Sequence, residues 1–451
     1  MQQNNLTRVG AGFPAAPGWV RLDGLSRIGL IAAMLLLFCV SGGMLWIVGY
    51  NYDGLTGSAA SKIHPSTYLI VLTFCWSLIA SGDPVSRGIH LASVRPATLL
   101  MLVVTIAIII VTILRGGAGI GGMVDTYVAS CLLVFLLVDA DDETMATLTT
   151  LLHVVMTLNA LLALAEFVTQ VRLFPYRFDG IAFETDTRSA ALHGHPLANA
   201  LITACYLMAL ISGSRPLSPA VRGTLIALQS AALVVFGGRT ALLVSLALGL
   251  CYGIAMLFSS LRGGRVSLVA AAIACLLVAV LPVAIGGLAG LGFFDDLATR
   301  FVSDGGSANA RKEMLDLLGM FSLGDLVFGP DNDLVETLRR VNGLEWGIEN
   351  PFIRMTLYQG AIVTALVTVA FGLFMYELAR AGRAGGVWLP MIVWIILLNG
   401  SESISTKTNL PAKFAIVVLC LYRPERSAGA ASLSPAASAR APRSWPDRAA
   451  G

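Results

Sequence analysis

The sequence predicts an all-α polytopic integral membrane protein of about twelve transmembrane helices with one long structured loop. Three observations carry this. Of 451 residues, 56% are hydrophobic and only 13% charged, where a soluble domain has about a quarter charged. Apolar runs on the order of 20 residues, the length that crosses a bilayer, follow one another. The shorter alternating segments of a transmembrane β-barrel are absent.

In chain order, 1–26 is a polar segment broken by Pro14 and Pro17, and it is expected in the cytoplasm. Arg8, Arg21 and Arg27 flank the first apolar run, 28–50. That run is too long for a signal-peptide core and lacks a cleavage pattern, so it is expected to stay as a span. Further runs at 66–81, 97–114, 123–138, 146–168, 192–213, 220–236, 239–258 and 267–289 complete a bundle over 27–289. The polar interruption 290–351 is expected to form a loop domain. Runs at 352–379, 387–400 and 409–422 return the chain to the bundle over 352–422. The 236–239 join is very tight, and 387–400 is short. The tail 423–451, mostly Ala, Ser, Pro and Arg, cannot bury a core and is expected to be disordered in the cytoplasm.

Charge sets the expected orientation. With the N-terminus inside, the inside connections carry Arg87 and Arg95, Arg215 and Arg222, Arg262 and Arg265, and Arg380 and Arg383. They are short and basic, as the positive-inside rule asks. The acidic stretch Asp139-Ala140-Asp141-Asp142-Glu143 weighs little in that rule. Loops 169–190 and 290–350 then lie outside. Yet Arg115, Arg172, Arg177, Arg188, Arg239, Arg300, Arg311, Arg339, Arg340 and Arg354 fall on that side too. Arginines that oppose the insertion rule point to a task such as holding an anion.

The seven cysteines all lie in apolar runs without a C-x-x-C pair, and the five histidines form no metal-binding pattern. No disulfide, metal or other cofactor is therefore expected. Nothing suggests nucleic-acid binding, a nucleotide fold or a redox centre.

Within the loop, 311–321 places Met314, Leu315, Leu318 and Phe321 on one helical face. That face lies either on the bilayer surface or on a core of the loop's own. Gly329-Pro330-Asp331-Asn332 reads as a turn. Asp333 to Arg340 reads as a short helix capped by Asp333 with Glu336 behind it.

Arg239, in Phe236-Gly237-Gly238-Arg239-Thr240, sits at the outer membrane surface, where its planar fork of donors suits a phosphate. The plainer role for it is a snorkelling anchor. His193-Gly194-His195-Pro196 opens a helix from the same side, as a start signal or as contacts to sugar hydroxyls and phosphate. Arg188 lies just before it.

The polytopic architecture, the late external loop, the Gly-Arg-Thr turn at Arg239 and the Asn350-x9-Gly360 spacing at the loop exit resemble the O-antigen polymerase and O-antigen ligase superfamily. Exopolysaccharide-type polymerases are the nearest in pattern. Relatives carry His-Asn where this chain has Glu349-Asn350, and a second glycine where it has Val363. The resemblance implies a lipid-dependent, membrane-embedded glycosyltransferase that polymerises oligosaccharide repeat units from undecaprenyl diphosphate without a metal. It implies Glu349 as the base in place of the histidine, with Arg239 and Arg311 on the diphosphate. Arg354, Asn350, His193, His195 and Arg188 are expected to bind substrate. A carboxylate at a helix N-terminus is the plainer reading of Glu349. Implied partners are the undecaprenyl-diphosphate-linked oligosaccharide, membrane lipids, and the flippase and chain-length or export proteins of a polysaccharide pathway. Transfer to a lipid or protein acceptor, as in the ligases, and transport of a lipid-linked saccharide are the alternatives.

Overall fold

A computed structural model describes residues 22–54, 58–115, 119–178, 181–182, 188–213, 217–263, 307–344, 347–348, 350–382, 386–398 and 404–423, with a few positions between 286 and 298. The expected run 267–289 falls almost wholly outside these residues, as do the segment 1–21 and the tail beyond Arg423.

The expected first span is two helices, α1 (Gly24–Cys39) and α2 (Gly42–Ile47). Val40 leaves the helix in extended conformation, and the Ser41 hydroxyl caps the second piece at Met44 N, 3.4 Å away. Helix α3 (Pro65–Ala80) meets α4 (Pro84–Val94) at a bend of 118°. Asp83 caps α4, and Pro84 fits its first turn. Helix α5 (Pro96–Leu114) is followed by α6 (Ile120–Asp139), which carries a π turn at Val124–Val128, and by α7 (Asp142–Thr169). Next come a two-residue antiparallel pair, β1 (Arg177–Phe178) with β2 (Ile181–Ala182), then α8 (Pro196–Ile211), α9 (Pro219–Val235) and α10 (Arg239–Arg262). The loop domain holds α11 (Ser307–Leu318), α12 (Leu323–Phe328), α13 (Asn332–Val341) and α14 (Pro351–Gln359). The chain closes with α15 (Ala361–Ala381), α16 (Trp388–Leu398) and α17 (Leu410–Tyr422).

Among the described residues, five helices, α5, α6, α7, α10 and α15, are long and apolar enough to cross a membrane, and the bent α3–α4 pair makes up to six. Five shorter helices, α1, α8, α9, α16 and α17, are also apolar. Helix α5 shows why the chain belongs in lipid. Its buried face is Thr98, Met101, Thr105, Ile108 and Thr112, while Val103, Ile106, Ile110 and Ile113 lie on the exposed one. Polar residues turned inward and aliphatic ones outward invert the pattern of a water-soluble helix. Helix α10 follows suit, with Leu243, Leu246, Leu250 and Ile254 exposed. These features make the chain an all-helical polytopic membrane protein.

Helix α17 is the axis of the bundle. Each of its residues from Leu410 to Tyr422 is buried, against α6, α7, α8 and α15. Trp394 of α16 stacks on Phe414, ring centres 4.4 Å apart.

The connections sort into two ends. At one end Arg87 pairs with Asp139 at 2.8 Å, both fully buried, and Arg27 with Glu143 at 2.7 Å. Glu377 there accepts the Ala97 N–H at 2.8 Å, and the Arg423 guanidinium donates to Leu137 O at 2.7 Å. At the other end lie the described residues of 40–54, 58–64, 119–125, 171–178, 181–182, 188–195, 236–239 and 404–409. Here Tyr50 donates to Ile63 O at 2.6 Å, and Arg115 reaches the loop domain at Gly329 O, 3.2 Å away.

The loop domain has its own small core, Met314, Leu317, Val335, Leu344, Ile348 and Leu357. Of the two readings of 311–321, packing on that core is the one observed. The face differs from expectation, since Leu317 points in while Leu315 is 62% exposed. The cap of α13 is Asp331, not Asp333, with its carboxylate accepting Asp333 N and Leu334 N. Glu336 then serves the interior of the domain. It accepts the Tyr358 hydroxyl and pairs with Arg339 at 2.6 Å. Partial burial opposes its charge, but Tyr358 and Arg339 outweigh that and hold the carboxyl below its ordinary pKa.

The Asn350-x9-Gly360 spacing has a structural meaning. The Asn350 side chain caps α14 by accepting Phe352 N at 3.0 Å and Ile353 N at 3.1 Å, and Pro351 takes the first position. Gly360 ends the helix at φ +90°, and a Cβ there would lie 2.6 Å from Gly329 N. Only glycine fits both the backbone angle and the approach of α12. Gly360→Ala is therefore expected to lower the melting temperature of the detergent-solubilised protein, at a cost of roughly 1–3 kcal/mol. Gly372→Ala in α15, where a Cβ meets nothing within 4 Å, is expected to leave it unchanged or higher.

Candidate functional site

The strap 188–195 leads from the hairpin into α8, and α7 holds it in place. Glu166, buried near the end of α7, accepts Ala190 N and Ala191 N, each at 2.9 Å, and Leu173 N at 3.1 Å. Asn159, one face-turn earlier, accepts Leu192 N at 3.0 Å and donates to Asn199 at 2.9 Å. Ser189 ties the strap to α7 through Ala163 O, 2.8 Å, and to the α9 terminus through Val235 O, 3.3 Å. At Gly194, φ +72°, a Cβ would lie 2.6 Å from Ser41 Cβ, so the strap closes tightly on the start of α2.

The strap points His193 inward. Its Nδ1 lies 2.9 Å from the Nζ of Lys413, one turn into α17. Both groups are buried, and His193 Nε2 has no hydrogen-bond partner among the described residues. Phe38 of α1 closes the pocket, its ring 5.8 Å from the His193 ring and 5.8 Å from Lys413 Nζ. No carboxylate pairs with Lys413 among the described residues.

A second polar node lies at the same end. Asp125, in the π turn of α6, accepts Tyr52 OH at 2.8 Å, Thr67 Oγ1 at 2.7 Å and His64 N at 3.1 Å. Lys407 sits 3.7 Å from the centre of the Tyr52 ring, donates to Tyr52 O, and is 3.9 Å from Asp53. Burial raises the Asp53 pKa against the pull of Lys407 and Lys62, and burial lowers that of Lys407 against Asp53. Asp125 joins three connections, and its oxygens are spent on doing so.

The sequence-derived residues divide between two neighbourhoods. The strap carries Arg188, His193 and His195, and the Ser189–Val235 bond brings it to the turn that Arg239 follows. Arg239 is half-buried at the first position of α10. His195 caps α8, its Nδ1 accepting Ala198 N at 3.4 Å, with its ring edge-on to Tyr176 at 4.5 Å. Asn350 and Arg354 belong to the loop domain, Asn350 as the α14 cap and Arg354 5.5 Å from the Tyr358 ring centre. Glu349 lies outside the described residues, and of Arg311 only the helical backbone is described.

Sequence reasoning passed over Lys413, Lys407 and Asp125. The signal for Lys413 was present, since a charge inside the apolar run 409–422 marks function by default. In chemical terms this end offers ammonium, guanidinium and imidazole donors, the equipment for holding an anion.

Glu166→Gln removes the charge on which two strap amides and the Leu173 amide depend. Hydrogen exchange at Ala190 and Ala191 is expected to speed up about tenfold or more, with exchange in α17 unchanged. No family model, characterised protein or solved structure matches this chain.

Proposed function

We propose that the chain is an inner-membrane glycosyltransferase that polymerises lipid-linked oligosaccharide repeat units into an exopolysaccharide or O-antigen-like polymer. On this reading the bundle has about twelve spans. The end bearing Arg87, Asp139 and Arg423 faces the cytoplasm, and the end bearing the strap and the loop domain faces the periplasm. The observation that carries the reading is the strap. It gathers Arg188, His193 and His195 beside the turn that starts with Arg239, at the bundle end to which Arg115 ties the loop domain.

Transfer from a polyprenyl diphosphate has two requirements. The bond between the anomeric carbon and the diphosphate breaks, and its electron pair leaves with the phosphate oxygen, so fixed positive charge must meet the charge that develops there. Arg239, with Arg311 and Arg354 from the loop domain, is assigned to this task. The acceptor hydroxyl forms the new bond to the anomeric carbon and gives up its proton to a base. Glu349 is assigned as that base. Asn350, the next residue in the chain, caps α14. Arg188, His193 and His195 hold the saccharide and phosphate, with His195 acting through its cap of α8.

The test is deletion of the protein followed by chemical analysis of lipid-linked saccharides. Single repeat units accumulating on the periplasmic leaflet are the expected result. Long polymer retained on the carrier would mean ligation instead, and units trapped on the cytoplasmic leaflet would mean transport. Complementation with Arg239→Ala or Glu349→Gln, each expressed at normal level, is expected to cut polymer at least a hundredfold. Full polymer from both variants contradicts the assignment.

A further inference from the structure

Lys413 is a cation in the first turn of the most deeply buried helix of the protein, and it is 3% exposed. Its described neighbours include a neutral ring, Phe38, and the imidazole of His193, and Cys39 and His64 lie within electrostatic reach. A buried ammonium that no negative charge compensates costs several kcal/mol. Ionisable groups persist inside membrane helices where they do work.

The hydrogen-bond arithmetic shows what is lacking. Lys413 as an ammonium has three donors and no acceptor. Its bond to Nδ1 of His193 uses one of them, and places the imidazole proton on Nε2. Nε2 is buried without a partner. The pair therefore presents unspent N–H donors, and among the described residues nothing accepts from them. An anionic oxygen completes the set. The strap that carries His193 also carries Arg188, and Ser189 ties it to the end of α9, just before the Arg239 turn, so ammonium and guanidinium groups belong to the same end of the bundle. An end with both suits a phosphoryl group, with several oxygens on one centre, better than a single carboxylate.

We propose that Lys413 and His193 form an anion site that takes an oxygen of a phosphoryl group at this end of the bundle. As the source of that group in a lipid-linked diphosphate, the inference rests on the function proposed above. Because both side chains are buried, the ligand reaches them when the strap 188–195 shifts. Lys413 is then a binding residue for the diphosphate that sequence motifs do not mark.

The experiment is thermal unfolding of the purified full chain in maltoside detergent and phosphate-free buffer. It is titrated separately with inorganic pyrophosphate, a polyprenyl diphosphate, phosphatidylglycerol and, as the uncharged control, polyprenol. A phosphoryl ligand that binds the folded state raises the midpoint. The proposal expects polyprenyl diphosphate and pyrophosphate to do so and polyprenol not to. Lys413→Met is expected to weaken the apparent affinity roughly tenfold or more, and Lys413→Arg to retain most of it. Without ligand, Lys413→Met is expected to melt no lower than the wild type, because an apolar replacement removes an uncompensated buried charge. His193→Leu gives a second route to the same loss. Undiminished affinity in both Lys413→Met and His193→Leu overturns the proposal, as does a wild type that no phosphoryl ligand stabilises. Stabilisation through Lys413 by phosphatidylglycerol but not by polyprenyl diphosphate upholds the site and sinks the glycosyl-transfer reading. Stabilisation by polyprenyl diphosphate that ignores Lys413 does the reverse.

Discussion

The hydrocarbon interior of a bilayer offers no water, so every polar group on a helix crossing it must be met by protein. That single requirement orders this molecule. It turns the threonines of α5 inward and leaves Ile106, Ile110 and Ile113 outside. It joins Asn159 to Asn199 across two helices, and it surrounds α17 completely. It also makes Lys413 stand out, because there the requirement is only half met. The ammonium has an imidazole beside it and no opposite charge among the described residues.

The two ends of the bundle deal with charge in opposite ways. At one, Arg87 and Asp139 neutralise each other in full burial, and Arg27 meets Glu143. Such pairs lock connections in place and hold nothing in reserve. At the other, the carboxylates of Glu166 and Asp125 are spent on backbone amides and hydroxyls, not on cations. Glu166 shapes the strap, Asp125 gathers the loops around Tyr52 and His64, and Lys413 has no carboxylate partner among the described residues. An end built this way is suited to receive negative charge from outside. The loop domain, with its own core and its attachment through Gly360, is fixed at that end as a body.

Much of this was legible in the chain, because it depends on local rules. Length and hydropathy located the apolar helices from α5 to α10, and Gly237-Gly238 announced the tight turn before Arg239. Asn350 and Pro351 spelled out a cap and a first turn, whereas the continuous run 352–379 hid the stop at Gly360. Other features depend on partners distant in sequence and were not legible. A run of uniform hydropathy over 28–50 hides the break at Val40–Ser41, which exists because the strap packs there. The 118° bend between α3 and α4 keeps Arg87 against Asp139, a contact across the bundle end. Leu317 replaces Leu315 on the inner face of α11 because the domain core lies to that side. Histidines at a helix start looked alike on paper. The fold makes His195 a cap and sends its neighbour His193 to Lys413.

The account stands or falls on which compartment each end faces. Single cysteines placed in a cysteine-free background at Leu323, 81% exposed on the loop domain, and at Glu143, whose side chain is 76% exposed at the opposite end, decide it. In intact cells with a permeabilised outer membrane, a maleimide that cannot cross the inner membrane should label the residue-323 cysteine. It should spare the residue-143 cysteine until the inner membrane is opened. Labelling of position 143 with protection of position 323 would put the strap, Lys413 and the loop domain in the cytoplasm, and would contradict the central claim.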